Sequence, residues 1–164
     1  MKKKVDLEKT PLKEAYLLLN VTEPEELSVR YTQEDQKLMK SNAWDYKNPA
    51  LITNKINVIL EGINPTLLSA DERYWRQNIL WFWNHHAISC AIWRYKDKGE
   101  AAEYSEKALS YQPPGHPNKI TRLLYLLIRD QLTEAEKWSR TIVSEPEKTT
   151  ALHLLSEYQR GFFK

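Results

Sequence analysis

Residues 69–113 read SADERYWRQNILWFWNHHAISCAIWRYKDKGEAAEYSEKALSYQP, and the fold turns on this stretch. Ser69 suits a helix N-cap, and Glu72, three residues on, completes a capping box. Neither Gly nor Pro interrupts 74–95, and four of the chain's six tryptophans fall there: Trp75, Trp81, Trp83 and Trp93. Apolar or aromatic side chains at 75, 79, 82, 86, 90 and 93 form a stripe of helical period, with a second set at 74, 81, 88 and 95. A helix apolar around most of its circumference is buried on several sides. The stretch therefore predicts a long central helix. A break at Lys98-Gly99 follows, then a helix over 100–111 with Ala101, Tyr104, Ala108 and Tyr111 on a narrow stripe. Pro113-Pro114-Gly115-His116-Pro117 cannot be helical and predicts a turn.

Downstream, Asn118 is placed to cap a helix over 120–130, and Thr133 with Glu136 predicts a second capping box opening 134–144. Pro146 breaks that helix, and 149–163 closes the chain. Upstream, Asn48-Pro49 precedes 50–63, where Ile52, Ile56, Ile59, Leu60 and Ile63 recur at helical spacing before Gly62 and Asn64-Pro65 end it. Thr10-Pro11 opens a helix that runs to about Asn20, with Leu12, Ala15, Tyr16 and Leu19 on one face. Shorter helices are expected from Thr22 and over 32–43, and the charged residues 1–9 are expected to fray. Few segments alternate with period two. The expectation is one all-α domain over 1–164, with about eight helices in antiparallel pairs. Within it, 1–48 is the less regular part, 50–146 holds the paired helices, and 149–164 is a capping helix.

Composition narrows the functional classes. Twenty-four basic and 22 acidic residues leave a net charge of +2 in 164 residues, with no concentrated basic face to suggest a nucleic-acid partner. No apolar run is long enough to span a membrane. Lys2, Lys3 and Lys4 are not followed by an apolar region, so no secretory signal is expected. A single cysteine, Cys90, cannot form an internal disulfide and fits a reducing cytoplasm.

Ala101 and Ala135 stand 34 residues apart, each opening the second helix of a helix–turn–helix unit, over 82–113 and about 117–146. The first unit resembles the tetratricopeptide repeat family. Ser89 stands at the small position of its first helix and Ile92 at the large one. Ala101 and Ala108 match the small positions of the second helix, and Pro113 matches the terminal proline. His85 and Ser105 depart from the pattern, where a large apolar residue and an aromatic are usual. In the second unit Ala135 fits, while Leu123 and Ile142 replace small residues and Pro146 comes one residue early. The resemblance implies a helical solenoid, or a compact helical array, whose inner face binds a protein or peptide segment. Position by position, that face is Trp83, His86, Cys90, Trp93 and Arg94. Its counterparts in the next unit, Ile120, Leu124, Leu127 and Ile128, are wholly apolar and need a cover: the last helix, a second subunit or a partner.

Chemistry has less to build on. His85, His86 and Cys90 are competent soft ligands, and His86 and Cys90 share a helix face, but no recognised metal spacing supplies further ligands. Carboxylates lie in first helical turns or on polar faces, with no evident acid–base pair. The expectation is a cytoplasmic, non-catalytic interaction module without cofactor or metal, able to form a homo-oligomer. A tight inhibitor or immunity-type protein for one toxin or enzyme is an alternative, and so is a metal protein or enzyme using His85, His86 and Cys90.

Overall fold

Ser69 and Glu72 form the capping box: Ser69 N donates to Glu72 Oε1 at 3.1 Å, and Glu72 N donates to Ser69 Oγ at 3.2 Å. They start the longest helix of a chain whose computed structural model describes residues 11–18, 47–161 and 163. These residues form seven α-helices: α1 (Lys13–Leu18), α2 (Lys47–Glu61), α3 (Ala70–Ser89), α4 (Lys98–Tyr111), α5 (Ile120–Ile128), α6 (Leu132–Ser139) and α7 (Glu147–Gln159). The described residues contain no strand, so the fold is all-α. None of these helices is long and apolar enough to cross a membrane. The charged start over 1–9 and the short helices expected from Thr22 and over 32–43 lie outside the described residues.

The described residues divide into two compact units, up to Arg76 and from Gln77 onward. In the first, α1 packs against α2; Leu12, in the turn just before α1, and Ala15 on it are buried, as are Ile56 and Leu60 of α2. Pro49 lies inside the first turn of α2 rather than before it. Its missing N–H costs nothing there, because the first four amides of a helix have no carbonyl partner. Asn64 Oδ1 accepts from Thr66 N at 3.1 Å and caps a single 3-10 turn, Pro65–Leu67. Arg76 Nε reaches back to Leu60 O at 2.9 Å.

In the second unit α5 packs against α4, α6 and α7, so this short helix, rather than the aromatic one, is the element on which the others converge. Ile120, Leu123, Leu124, Leu127 and Ile128 are buried with Ala101 and Ala108 of α4, Ala135 of α6 and Ala151 and Leu154 of α7. The apolar face of α5 is thus covered within the chain. Ala101 and Ala108 are fully buried, as their spacing implies. Ser89, placed by the repeat pattern at a small buried position, is exposed instead. Ala87 and Ala91 are the fully buried small residues. A shift of two positions turns a helix by about half a revolution, so the register of this helix differs from that of the repeat.

The aromatic helix also ends differently. An unbroken α-helix to Tyr95 is expected, but Cys90–Tyr95 forms a π-helical segment closed by Lys96 in the left-handed region at φ 54°. Asp97 N donates to Ala91 O at 2.9 Å, and Asp97 Oδ1 accepts from Glu100 N at 2.9 Å, so one residue ends this segment and caps α4. Asn118 behaves as its type predicts, its Oδ1 accepting from Ile120 N at 2.9 Å and Thr121 N at 3.3 Å. Thr133 does not. α5 ends in a Schellman turn with Asp130 at φ 56°, Gln131 N on Leu126 O at 3.0 Å and Asp130 N on Leu127 O at 3.1 Å. That turn starts α6 at Leu132 and carries Thr133 past the capping position. α6 stops at Ser139, five residues short of the expected end at Ser144.

Candidate functional site

The histidines of the aromatic stretch sit in a structural network. His85 Nδ1 lies 2.9 Å from Thr121 Oγ1, and Trp81 Nε1 donates to the same oxygen at 3.1 Å. An indole N–H can only donate. The Thr121 hydroxyl, with one proton and two lone pairs, thus serves both rings at once, accepting from Trp81 and hydrogen-bonding His85 Nδ1. The Trp81 ring stacks on His85 at 5.4 Å and lies 4.1 Å from His116. Burial, reinforced by the charges of His86 and His116, pushes the His85 pKa down to about 3. His116 Nδ1 accepts from Asn118 N at 3.2 Å, and Gln112 Nε2, 3.4 Å from that nitrogen, donates to Asn118 O at 2.6 Å. Burial lowers the His116 pKa, partly opposed by Glu147. His116 organises the turn over 113–118 and His85 ties α3 to α5, both as neutral rings.

The residues expected on an inner face are spread among different environments. Trp83 and His86 are half-buried, and the His86 ring lies 4.3 Å from Phe82. Cys90 is 1% exposed, and burial, with Glu100 adding to it, pushes its thiol up to about 11. Trp93 packs on the core and meets Phe163 edge-on at 5.9 Å. The side chain of Arg94 lies outside the described residues. Cys90, Trp93 and Arg94 all fall in the π segment, whose wider turn pairs residues five apart. The three-and-four spacing that placed them on one face does not apply there. Among the described residues, no group of three or more His, Cys, Asp or Glu side chains comes together as a metal-ligand set.

A pocket of about 420 Å³ opens instead where four segments end. Ile92 of the π segment, Ile128 at the end of α5 and Phe163 after α7 are buried at its base. Lys96 and Lys98 enter from the turn into α4, and Glu157, Arg160 and Gly161 from the end of α7. Gly161, at φ 84°, is the C-terminal glycine that lets the chain reverse and bring Phe163 under the core. Lys98 Nζ is 2.9 Å from Asp130 Oδ2, and Asp130 Oδ1 accepts from Tyr158 Oη at 3.0 Å, so one carboxylate ties α4 to α7 beside the opening. Sequence reasoning missed this pocket. Its lining spans 92–163, and only the lone Gly161 signalled a chain reversal there.

The departures from the repeat pattern have local explanations. Ser105, in place of an aromatic, is fully buried, donates to Ala102 O at 2.8 Å and receives Arg129 Nη1 at 3.0 Å. The same guanidinium stacks 3.7 Å from the Tyr125 ring. Polar bonding across α4 and α5 replaces the bulk an aromatic brings. No protein-family model, curated protein or solved structure matches the chain.

Proposed function

We propose that this chain is a non-catalytic interaction module that binds a segment of another protein on its helical array, in the cytoplasm. The observation that carries this reading is the pocket over Ile92, Ile128 and Phe163, an apolar base ringed by charged side chains. Small concave sites with an apolar lining and a few polar groups are where proteins hold ligands and side chains. The reactive residue types support the same reading. His85 and His116 are held as neutral hydrogen-bonded rings, and the Cys90 thiol is buried and kept protonated. A nucleophile needs the opposite, an accessible group with a lowered pKa.

Affinity capture with the tagged full-length chain in its native host, followed by mass spectrometry and calorimetry on the purified partner, tests the reading. A reproducible partner binding in one-to-one stoichiometry is expected. Nanomolar or tighter affinity for a single enzyme or toxin would identify an inhibitor instead. Turnover of a small molecule by the purified chain would overturn the reading.

A further inference from the structure

The turn between α4 and α5 has few backbone bonds to hold it. Pro113, Pro114 and Pro117 bring no N–H, which leaves Gly115, His116 and Asn118 as its backbone donors. His116 N bonds Pro113 O at 3.0 Å, and Asn118 N donates to His116 Nδ1 at 3.2 Å. Gly115 sits at φ 75° with nothing within 4 Å of the place a Cβ would take, so the backbone has room to pivot there. A backbone N–H can only donate, so His116 Nδ1 carries no proton and the neutral ring keeps its proton on Nε2. An imidazolium has N–H on both nitrogens and cannot accept from Asn118. Among the described residues, the titratable groups around this corner are Glu147 in the first turn of α7, His85 of α3 and Lys119 at the entry to α5. His85 is neutral, and Lys119 Nζ is tied to Thr141 O at 3.0 Å, so Glu147 is the group that favours a cation on His116. Glu147 Oε2 takes Lys119 N at 3.4 Å, and a carboxylate has a second oxygen for a further donor. The Trp81 ring, 4.1 Å from His116, packs with either form, since aromatic faces attract cations. The Asn118 N–H is the contact that protonation breaks.

We propose that His116 is an acid-released latch on the turn over 113–118: the neutral ring holds Asn118 N–H and closes the turn, while the imidazolium turns from Asn118 to Glu147 and the turn opens about Gly115. The Asn118 Oδ1 cap on Ile120 N and Thr121 N stays in place, so α4 and α5 remain packed while the turn between them moves. Burial lowers the His116 pKa in the closed turn, partly opposed by Glu147, so the open turn takes up a proton first. Opening therefore rises as pH falls below the ordinary histidine value, by up to about tenfold per pH unit. The latch is independent of the protein-binding reading.

Native-state hydrogen exchange of the full-length chain, read by NMR from mildly alkaline to mildly acidic buffer and corrected for intrinsic rates, tests the latch. Protection of the Asn118 amide should fall by up to about tenfold per pH unit below the histidine midpoint. That exchange should depend little on dilute urea, because a local opening exposes little surface. Leu124 and Leu127, buried in α5, should instead exchange with the urea dependence of global unfolding. In neutral buffer the ring nitrogen shifts of His116 should report an Nδ1 without a proton. His116→Gln should abolish the pH dependence at Asn118, and Glu147→Gln should move the titration of His116 to lower pH. The proposal is overturned by a proton on Nδ1 of the neutral ring, by an Asn118 amide whose protection ignores pH, or by an equal pH dependence in His116→Gln. It is overturned equally by a His116 titration unmoved in Glu147→Gln, or by an Asn118 amide that shares the urea dependence of Leu127. Were a variant not to fold, the exchange of the native chain and the tautomer of its His116 ring decide alone.

Discussion

Thr121 and His85, 36 residues apart, are joined by a 2.9 Å hydrogen bond between Oγ1 and Nδ1, and the same hydroxyl receives the Trp81 indole N–H. Thr121 is fully buried. Replacing it with valine keeps the volume and leaves both ring nitrogens without their partner, a loss expected to cost about 1–3 kcal/mol. Thr121→Ser keeps the hydroxyl and loses a methyl group, worth about 1 kcal/mol. Urea unfolding should rank valine as the less stable of the two. Valine equal to serine would show that the hydrogen bonds contribute nothing net.

The two neutral imidazoles make stability depend on pH. Both have pKa values lowered by burial, so the unfolded chain takes up protons before the native one does. Their contribution is complete above the ordinary histidine pKa of 6.5 and falls as pH drops, for His85 until about pH 3. Within that window each histidine steepens the loss by up to about 1.4 kcal/mol per pH unit. A protonated His116 also sets an N–H at Nδ1 against the Asn118 N–H that it now accepts. Urea midpoints should fall between mildly alkaline and mildly acidic buffer, before most carboxylates titrate, and His85→Gln/His116→Gln should flatten that fall. An equal slope in the variant would remove these histidines as its cause.

Ala108 is fully buried between packed helices. Ala108→Leu adds bulk at a fully buried position and should cost about 1–3 kcal/mol. Glu103→Lys, at an exposed site on the same helix, serves as the control and should stay within about 0.5 kcal/mol. Unchanged urea stability of the leucine variant would mean that the α4 face is not tightly packed.

Cys90 should be inert to a thiol reagent in mildly alkaline native buffer, since burial pushes its pKa up to about 11 and the thiolate is the reactive form. In denaturing urea it should label at the rate of a free cysteine. Fast labelling of the native chain would contradict the burial of this residue.

How much of the molecule was legible in advance follows from the range of each interaction. The Ser69–Glu72 capping box, the Asn118 cap and the buried face of Ala101 and Ala108 were all readable. Caps act within one turn, and helical period alone decides which residues share a face. Thr133 shows where that logic stops. Its capping box was chemically sound, but the Schellman turn at Asp130 began α6 at Leu132 and left Thr133 inside the helix.

By itself the sequence determined an all-helical chain, most of its helix starts and the small residues of α4, because these depend on neighbours a few positions away. Tertiary structure decided the rest. It covered the apolar face of α5 with α7, placed Ser89 outside and Ala87 and Ala91 inside, and spread Cys90, Trp93 and Arg94 along a π segment rather than one α-helical face. It paired Thr121 with His85 and gathered Ile92, Lys98, Ile128 and Arg160 around one pocket. Those arrangements depend on where helices stop and how they cross. Packing of side chains far apart in the chain sets both, and no local pattern encodes it.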